Sequence, residues 1–245
     1  MAEAREPGVA EEFVKFPRTP HLMWLGIMPP RGDKMLSSEE ATALLKGPVI
    51  VEEKIDGACI GLSVEPGGAV RAQNRGAYLT PNSHAQFRPL WPWLAQREAA
   101  LREALGSGQV LFGEWCYARH AVAYDALPDW FLAFDVYDRN AKRFWSRARR
   151  EELTGRLRLA SVPMLAAGRF DCGGLERLLG PSRVGAMPME GIYLRWEDGP
   201  WVAARAKLVR ASWLPHDEEH WSRRPLVANR RASDSLTHAA ETGRG

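Results

Sequence analysis

Between residues 48 and 209 the chain is a series of short apolar runs set off by Gly, Pro, Asn and Asp. Runs of that length, rich in β-branched and aromatic residues, make strands; a long helix needs apolar positions that recur every three to four residues over several turns. The pattern therefore predicts an α+β chain in which strands outnumber helices. Residues 48–54 and 58–64 read as strands, Pro66-Gly67-Gly68 as a turn, and 69–74 as the antiparallel partner of 58–64. Residues 109–117 and 130–137 are strongly apolar and are expected in the middle of a sheet. Residues 189–196 and 201–209, joined at Asp198-Gly199, form a second hairpin. A helix is expected over 83–105, where Leu90, Leu94, Leu101 and Leu105 recur at near-helical spacing before Gly106, with Pro89 and Pro92 breaking its first half. Shorter helices are expected over 146–157 and 174–179.

Composition limits what such a chain can be. With 45% hydrophobic and 9% aromatic residues among 245, it has enough apolar side chain for a packed core, which excludes disorder as the main state. Thirty-three Lys and Arg against 30 Asp and Glu leave a net charge of +3, which tolerates a polyanionic partner without demanding one. Cys59, Cys116 and Cys172 are far apart and provide neither a disulfide framework nor a zinc knuckle, which suits a reducing compartment. No run approaches the roughly 18 apolar residues of a membrane span, and residues 1–12 carry acids where a leader would carry an apolar core. A cytoplasmic protein with no membrane partner is expected. The ten tryptophans read as large packing residues. Residues 222–245, rich in Arg, Ser, Thr and Gly, are expected to form a basic, mobile tail beyond one folded domain of residues 1–221.

The strongest chemical signal is Glu53-Lys54-Ile55-Asp56-Gly57, between the first two strands. Residues two apart on a strand share a face, which would aim the Lys54 amine and the Asp56 carboxylate into one space. A lysine attacks only as the neutral amine, so a nucleophilic role demands a pKa lowered by burial or nearby cations. The glycine leaves room for a ligand to approach the backbone. Lys-x-Asp-Gly alone is weak: at roughly 6% per residue type it turns up by chance in about one chain in twenty of this size. Its bland reading is a charged turn at a strand end. What strengthens it is the order of elements downstream. Asn74-Arg75-Gly76 follows the third strand, and Phe112-Gly113-Glu114-Trp115 places Glu114 60 residues beyond the lysine. Phe131-Leu132-Ala133-Phe134-Asp135, Met189-Glu190-Gly191-Ile192 and Arg205-Ala206-Lys207 come next. Each polar member lies in or at the end of an apolar strand, where an isolated charge is costly unless it faces a site. Singly they keep ordinary readings: Glu114 and Glu190 as strand-end carboxylates, Phe134 as core, Arg75 as a turn residue.

As a set from Glu53 to Lys207, these residues resemble the six collinear motifs of the covalent nucleotidyltransferase superfamily of polynucleotide ligases and RNA capping enzymes. Within it they are most similar to the ATP-dependent RNA ligases of the RNA ligase 2 type and their bacterial relatives. Phe16-Pro17-Arg18-Thr19-Pro20-His21-Leu22 also looks like a segment of bacterial ligase-like proteins. The resemblance implies a nucleotidyltransferase (adenylyltransferase) fold of antiparallel sheets flanked by helices, an ATP-grasp-like ligase core. It implies that Lys54 attacks the α-phosphate of ATP, releasing pyrophosphate and leaving a lysyl-AMP intermediate. Glu53 would contact adenine, with Ile55 and Asp56 completing the nucleotide site. Arg75 and Glu114 would bind the ribose hydroxyls, and Phe134 would stack on the purine. Glu190 and Glu114 would hold Mg²⁺, with Mn²⁺ as an alternative, and Lys207 and Arg205 would grip phosphate. AMP would then pass to the 5′-phosphate of an RNA, which a 3′-hydroxyl would displace. No Walker A loop is present, so ends in need of healing imply a separate kinase or phosphatase.

Two departures stand out. Arg205 occupies a position where RNA ligases usually carry a second lysine; it keeps the charge but binds phosphate as a planar fork. The 38 residues after Lys207 are too few for an appended OB-fold, so the polynucleotide grip is expected from the core, the basic tail or a partner. Two rival functions share the fold: a capping-type, GTP-dependent RNA guanylyltransferase using the same lysine, and a non-catalytic RNA-binding module. His216-Asp217-Glu218-Glu219-His220 matches an inverted zinc-peptidase pattern, although an acidic first turn after Pro215 explains it as simply.

Overall fold

In the computed structural model, which describes residues 13–26, 34–213 and 225–234, two sheets hold the elements of the chain. Helix α1 (Ser38–Lys46) opens on a capping box in which Ser37 Oγ accepts from Glu40 N at 3.1 Å and Glu40 Oε2 accepts from Ser37 N at 2.8 Å. That Ser-x-x-Glu pair is the sequence signal for a helix that apolar spacing does not reveal. Strands β1 (Val49–Lys54), β2 (Ala58–Val64) and β3 (Val70–Gln73) follow, then helices α2 (Leu90–Ala95) and α3 (Glu98–Ala104). Strands β4 (Gln109–Trp115), β5 (Phe131–Asp138) and β6 (Arg143–Phe144) lead to α4 (Arg147–Leu157), β7 (Ala160–Ser161) and β8 (Met164–Gly168). Helix α5 (Cys172–Arg177) and the hairpin β9 (Gly191–Asp198) and β10 (Trp201–Val209) complete the described elements.

The smaller sheet has the order β10-β9-β1-β8 and the larger β3-β2-β4-β5-β6, all neighbours antiparallel, with β7 added to β5 in parallel. Both hairpins and the interior positions of β4 and β5 agree with the sequence pattern. Three features differ. The segment 83–105 is a 3₁₀ turn (Ala85–Phe87) followed by two helices. The first break falls at Pro89, as expected, which caps α2, while Pro92 sits harmlessly in that helix's first turn; a second break, at Gln96 and Arg97, separates α2 from α3. Strand β8 carries Leu165-Ala166-Ala167-Gly168, too poor in β-branched residues to be read as a strand, and extends only because β1 offers it a hydrogen-bonding edge. Beyond Trp221, residues 225–234 are fixed to the body, contrary to the mobile tail expected from their composition. Asn229, 5% exposed, donates to the Cys116 carbonyl at 2.8 Å and accepts from Tyr124 N at 2.9 Å. One buried amide and several main-chain bonds outweigh a polar composition.

Register explains where the site lies. On β1, β9 and β10 one face carries Val49, Val51, Ile192, Leu194, Ala206 and Leu208, which pack with Leu44 of α1 and Leu175 of α5. Alternation puts Glu52, Lys54, Tyr193, Arg195, Arg205 and Lys207 on the other face. The larger sheet buries its own apolar face, Ile60, Leu62, Leu111, Trp115 and Phe131 among others, under α2, α3 and α4. The helices thus take both apolar faces and leave a charged, partly open layer between the sheets.

Candidate active site

The chain crosses from one sheet to the other at Ile55-Asp56-Gly57, so Lys54, the last residue of β1, projects where the sheets meet. Glycine is required at 57 because a Cβ there would lie 2.7 Å from the Trp115 carbonyl oxygen: the close approach is by β4, not by a ligand. Lys54 pairs in register with Gly191, whose own Cβ would meet the Leu208 carbonyl oxygen at 2.4 Å. This tight pairing brings Glu190, one residue earlier, onto the lysine: Glu190 Oε2 accepts from Lys54 Nζ at 2.5 Å. Glu114 arrives from β4, opposite Cys59 of β2.

The electrostatics of this group run opposite to the simple expectation for a nucleophilic amine. Burial pulls the Lys54 pKa down, but Glu190, Glu114 and Asp56 together overcome it and hold the value above the ordinary lysine range. Glu114 is pushed up to about 8, first by burial and then by Glu190 and Asp56, against the pull of Lys54 and Arg75. Burial and Asp56 likewise raise Glu190, against Lys54 and Lys207. Three acids share one amine, so the cluster as it stands is short of positive charge and Lys54 is an ammonium.

A cavity of about 310 Å³ opens over this group. Lys54, Glu114, Arg75 and Lys207 supply its charged wall, and Ile55, Phe134 and Val162 an apolar one. Phe134 is half-buried, with its ring edge-on to Phe16 at 5.1 Å. Phe16 and Thr19 reach the cavity because the segment around them runs beside β10: Lys207 N donates to the Pro20 carbonyl at 2.9 Å and Leu22 N to the Lys207 carbonyl at 2.8 Å. The cavity is large enough to be a ligand site, and its opposed charged and apolar walls suit a phosphorylated aromatic compound.

Other expected residues lie elsewhere. The Asp56 carboxylate does not share a strand face with Lys54, because β1 ends at Lys54; it accepts from Ala121 N at 2.7 Å and Val122 N at 2.8 Å, fastening that loop. Glu53 touches the cavity, but its carboxylate accepts from Ser182 Oγ at 2.6 Å and Arg183 N at 2.8 Å, and burial raises its pKa despite those bonds. Arg205 does not line the cavity at all: it pairs with Asp135 at 2.9 Å and lies over the Phe144 ring at 3.9 Å. The His216–His220 pattern and Arg223, Arg224 and Arg244 fall outside the described residues.

Sequence reasoning missed the network beneath the cavity. Glu52, fully buried, binds Arg150 at 2.5 Å, Arg195 at 2.9 Å and Arg147 at 3.4 Å. Arg150 and Arg195 both donate to the Phe134 carbonyl, at 2.6 and 2.7 Å, and so set the position of that residue in the wall. A glutamate directly after Val49-Ile50-Val51 was the available signal, since an acid in such a run is tolerable only when paired.

Comparison with known proteins bears on the family and the fold. The RNA ligase family profile matches residues 47–209, two thirds of the chain, from the start of β1 to the end of β10. Among solved structures, RNA ligase of Naegleria gruberi with PPi is 17% identical over 85% of this chain and 63% of that one, with a TM-score of 0.57. A mutant of that ligase with AMP and Mn is 16% identical over 82% and 63%, with a TM-score of 0.57. Another, with ATP and Mn, is 17% identical over 71% and 52%, with a TM-score of 0.54. At such identities the likeness is one of fold, and the chain spans between half and two thirds of the length of those structures. No curated protein matches it. On the strength of the profile match along the strands that carry Lys54, Glu114, Glu190 and Lys207, the chain belongs to the RNA ligase family.

Proposed function

We propose that the chain is an ATP-dependent RNA ligase in which Lys54 takes AMP from ATP, passes it to an RNA 5′-phosphate and promotes sealing by a 3′-hydroxyl. One observation carries the reading: Lys54 lies at the floor of a nucleotide-sized cavity, ion-paired to Glu190 and facing Glu114, with Lys207 and Arg75 in the same wall. In the first step Lys54, having given up one proton to become a neutral amine, forms a bond from Nζ to the α-phosphorus of ATP as the bond to the α–β bridging oxygen breaks; pyrophosphate departs with that electron pair and the nitrogen sheds a second proton to solvent, leaving an N–H phosphoramidate. Lys207 offsets charge on the phosphate oxygens, Arg75 faces the ribose, Phe134 presents a ring to the base, and Glu53 borders the same cavity.

Lys54 must first become neutral, and the acids around it oppose this. Glu190 and Glu114 are hard oxygen donors suited to Mg²⁺ or Mn²⁺, and among the described residues no three His, Cys, Asp or Glu side chains converge as a self-sufficient metal cage. Glu190 and Glu114 would hold such an ion, and its positive charge would weaken their hold on the Lys54 proton and so favour the neutral amine.

The adenylyltransferase domain is proposed to comprise residues 1–221, with the segment 225–234 packed against it. The three cysteines are unpaired, which supports a cytoplasmic location, and among the described residues no helix is long and apolar enough to cross a membrane. Broken RNA lacking a 5′-phosphate would need a separate kinase, and a blocked 3′ end a separate phosphatase. The test is incubation with ATP labelled on the α-phosphate and a divalent ion. Label should attach to the wild-type chain and be absent from Lys54→Ala, and GTP should not replace ATP. Label that survives Lys54→Ala overturns the assignment; GTP as the better donor points to a guanylyltransferase.

A further inference from the structure

Beside the nucleotide cavity lies a second, wider hollow of about 540 Å³, lined by Arg18, Thr19 and Pro20, by Lys142, Arg143 and Phe144, and by β10 from Val202 to Arg205. Thr19 belongs to both linings, so the two spaces adjoin. Three stretches distant in sequence bring cations to it, and among the described residues no acidic side chain lines it. Arg18, Lys142 and Arg143 are exposed. Lys142 stands at the tip of the β5–β6 turn in a left-handed conformation (φ 52°), which commits the turn to holding Lys142 and Arg143 in sequence at the rim. Asp138, opposite Arg143 in register, is occupied by Ala141 N at 3.0 Å and Trp145 Nε1 at 3.4 Å. The basic surface continues outward as Arg143 and Arg149 over the Trp201 ring, at 5.2 and 4.7 Å.

Solvated cations are common on protein surfaces, but here they converge on a concave, acid-free hollow whose end opens at the reactive cavity. A groove of that kind suits a flexible chain of phosphates, and the arginine-covered indole at its outer end suits an unstacked base. We infer that this groove carries the phosphodiester backbone of the RNA strand whose end is activated at Lys54. The inference rests on the ligase reading and supplies a polynucleotide grip from the described core.

The test uses the full chain, a 5′-phosphorylated single-stranded RNA of about 20 nucleotides, and the triple variant Arg18→Ala, Lys142→Ala, Arg143→Ala. Binding is read by fluorescence anisotropy across a salt series, and self-adenylylation by label from ATP. Three lost phosphate contacts should weaken binding about tenfold or more and reduce the slope of log affinity against log salt by about 2. Self-adenylylation and thermal unfolding should match the wild type. Unchanged affinity and slope in the triple variant overturn the proposal, and so does wild-type protein that self-adenylylates but binds no RNA. Loss of self-adenylylation with tighter dependence on ATP would show that the groove serves the triphosphate tail, which also overturns it. If wild type binds RNA through these residues yet never takes label from ATP, the groove stands and the ligase reading falls.

Discussion

Glu52 and Lys54 stand two residues apart on the same face of β1, and both are ionisable groups withdrawn from water, but their neighbours are opposite in kind. Around Glu52 cations are in excess: Arg150, Arg195 and Arg147 converge on it, and Asp135 takes Arg195 and Arg205 at 2.9 Å each. Burial alone would raise the Glu52 pKa, but the arginines overcome it and hold the carboxyl below its usual range. Around Lys54 anions are in excess, and the result is an ammonium that gives up its proton with difficulty and a Glu114 that ionises only near pH 8. The first cluster is complete as folded. On the proposed reading the second is completed by a cation and the phosphates of a nucleotide. Charged layers between sheets can thus be structural or reactive, and the sign of the surplus tells which.

Breaking the complete cluster should have the largest effect. Glu52→Gln keeps the shape and removes the charge, leaving buried Arg150 with only the half-exposed Glu151 and buried Arg195 with only Asp135 as counter-ion. Loss of one member of such a network costs about 3–5 kcal/mol, measurable as a lower urea midpoint. Because the native Glu52 pKa is depressed, its contribution is present above pH 4.5 and fades as pH falls below that value. The difference between variant and wild type should narrow on acidification; a cost under about 1 kcal/mol at pH 7 would mean that the arginines do not depend on Glu52.

Glu114→Gln should behave in reverse. Its native pKa of about 8 lies above its ordinary 4.5, so between those values the folded chain keeps a proton that the unfolded chain has lost, and stability falls as pH rises through the window. Removing the acid should raise the melting temperature of the ligand-free protein by a few degrees at pH 8, corresponding to about 1 kcal/mol, and by less at pH 5. Self-adenylylation should drop by about 10–100-fold, as for loss of a metal-binding partner. A variant less stable at pH 8 than wild type would show that Glu114 is held as a stabilising anion.

A smaller effect is expected from the loop that caps Asp56. Asn229→Ala leaves the Cys116 carbonyl and the Tyr124 amide without their buried partner, at a cost of about 1–3 kcal/mol. Tyr124 Oη in turn accepts from Asp56 N at 2.8 Å, so the amides of Ala121 and Val122 should exchange faster with deuterium in the variant. Unaltered exchange at those two amides would separate the C-terminal segment from the reactive cluster.

How much of this was legible from residues alone follows the same division. Alternation of apolar and polar positions located the strands and hairpins, and the order Lys54, Arg75, Glu114, Phe134, Lys207 picked out five residues of the cavity wall, with Glu190 paired to the lysine beside it, because these side chains come from strands or the residues next to them. The Glu52 network was not legible, because its partners lie on α4 and β9, 98 and 143 positions away, and only the pairing of β9 with β1 and the packing of α4 bring them together. Asp56 was misplaced by assuming that β1 continues through it, whereas the crossover to the second sheet begins one residue earlier. Residues 225–234 were misjudged because composition reports average solubility and is blind to a single well-paired amide such as Asn229.

Arg205 tests where the boundary between the two clusters falls. Its place in Arg205-Ala206-Lys207 assigns it to phosphate, and alternation on β10 puts it on the same face as Lys207. The structure nevertheless ties it to Asp135, with the Phe144 ring beneath its guanidinium, on the Glu52 side of the layer. Arg205→Lys can keep the charge opposite Asp135 but loses the planar fork and most of the ring contact, a change of about 0.5–1 kcal/mol in stability. If the reactive cluster ends at Lys207, self-adenylylation of the variant should stay within about threefold of wild type while its melting temperature falls slightly. A tenfold loss of labelling at an unchanged melting temperature would instead place Arg205 on the nucleotide during the reaction, and would mean that the complete cluster opens to meet ATP, with Asp135 released as the arginine turns.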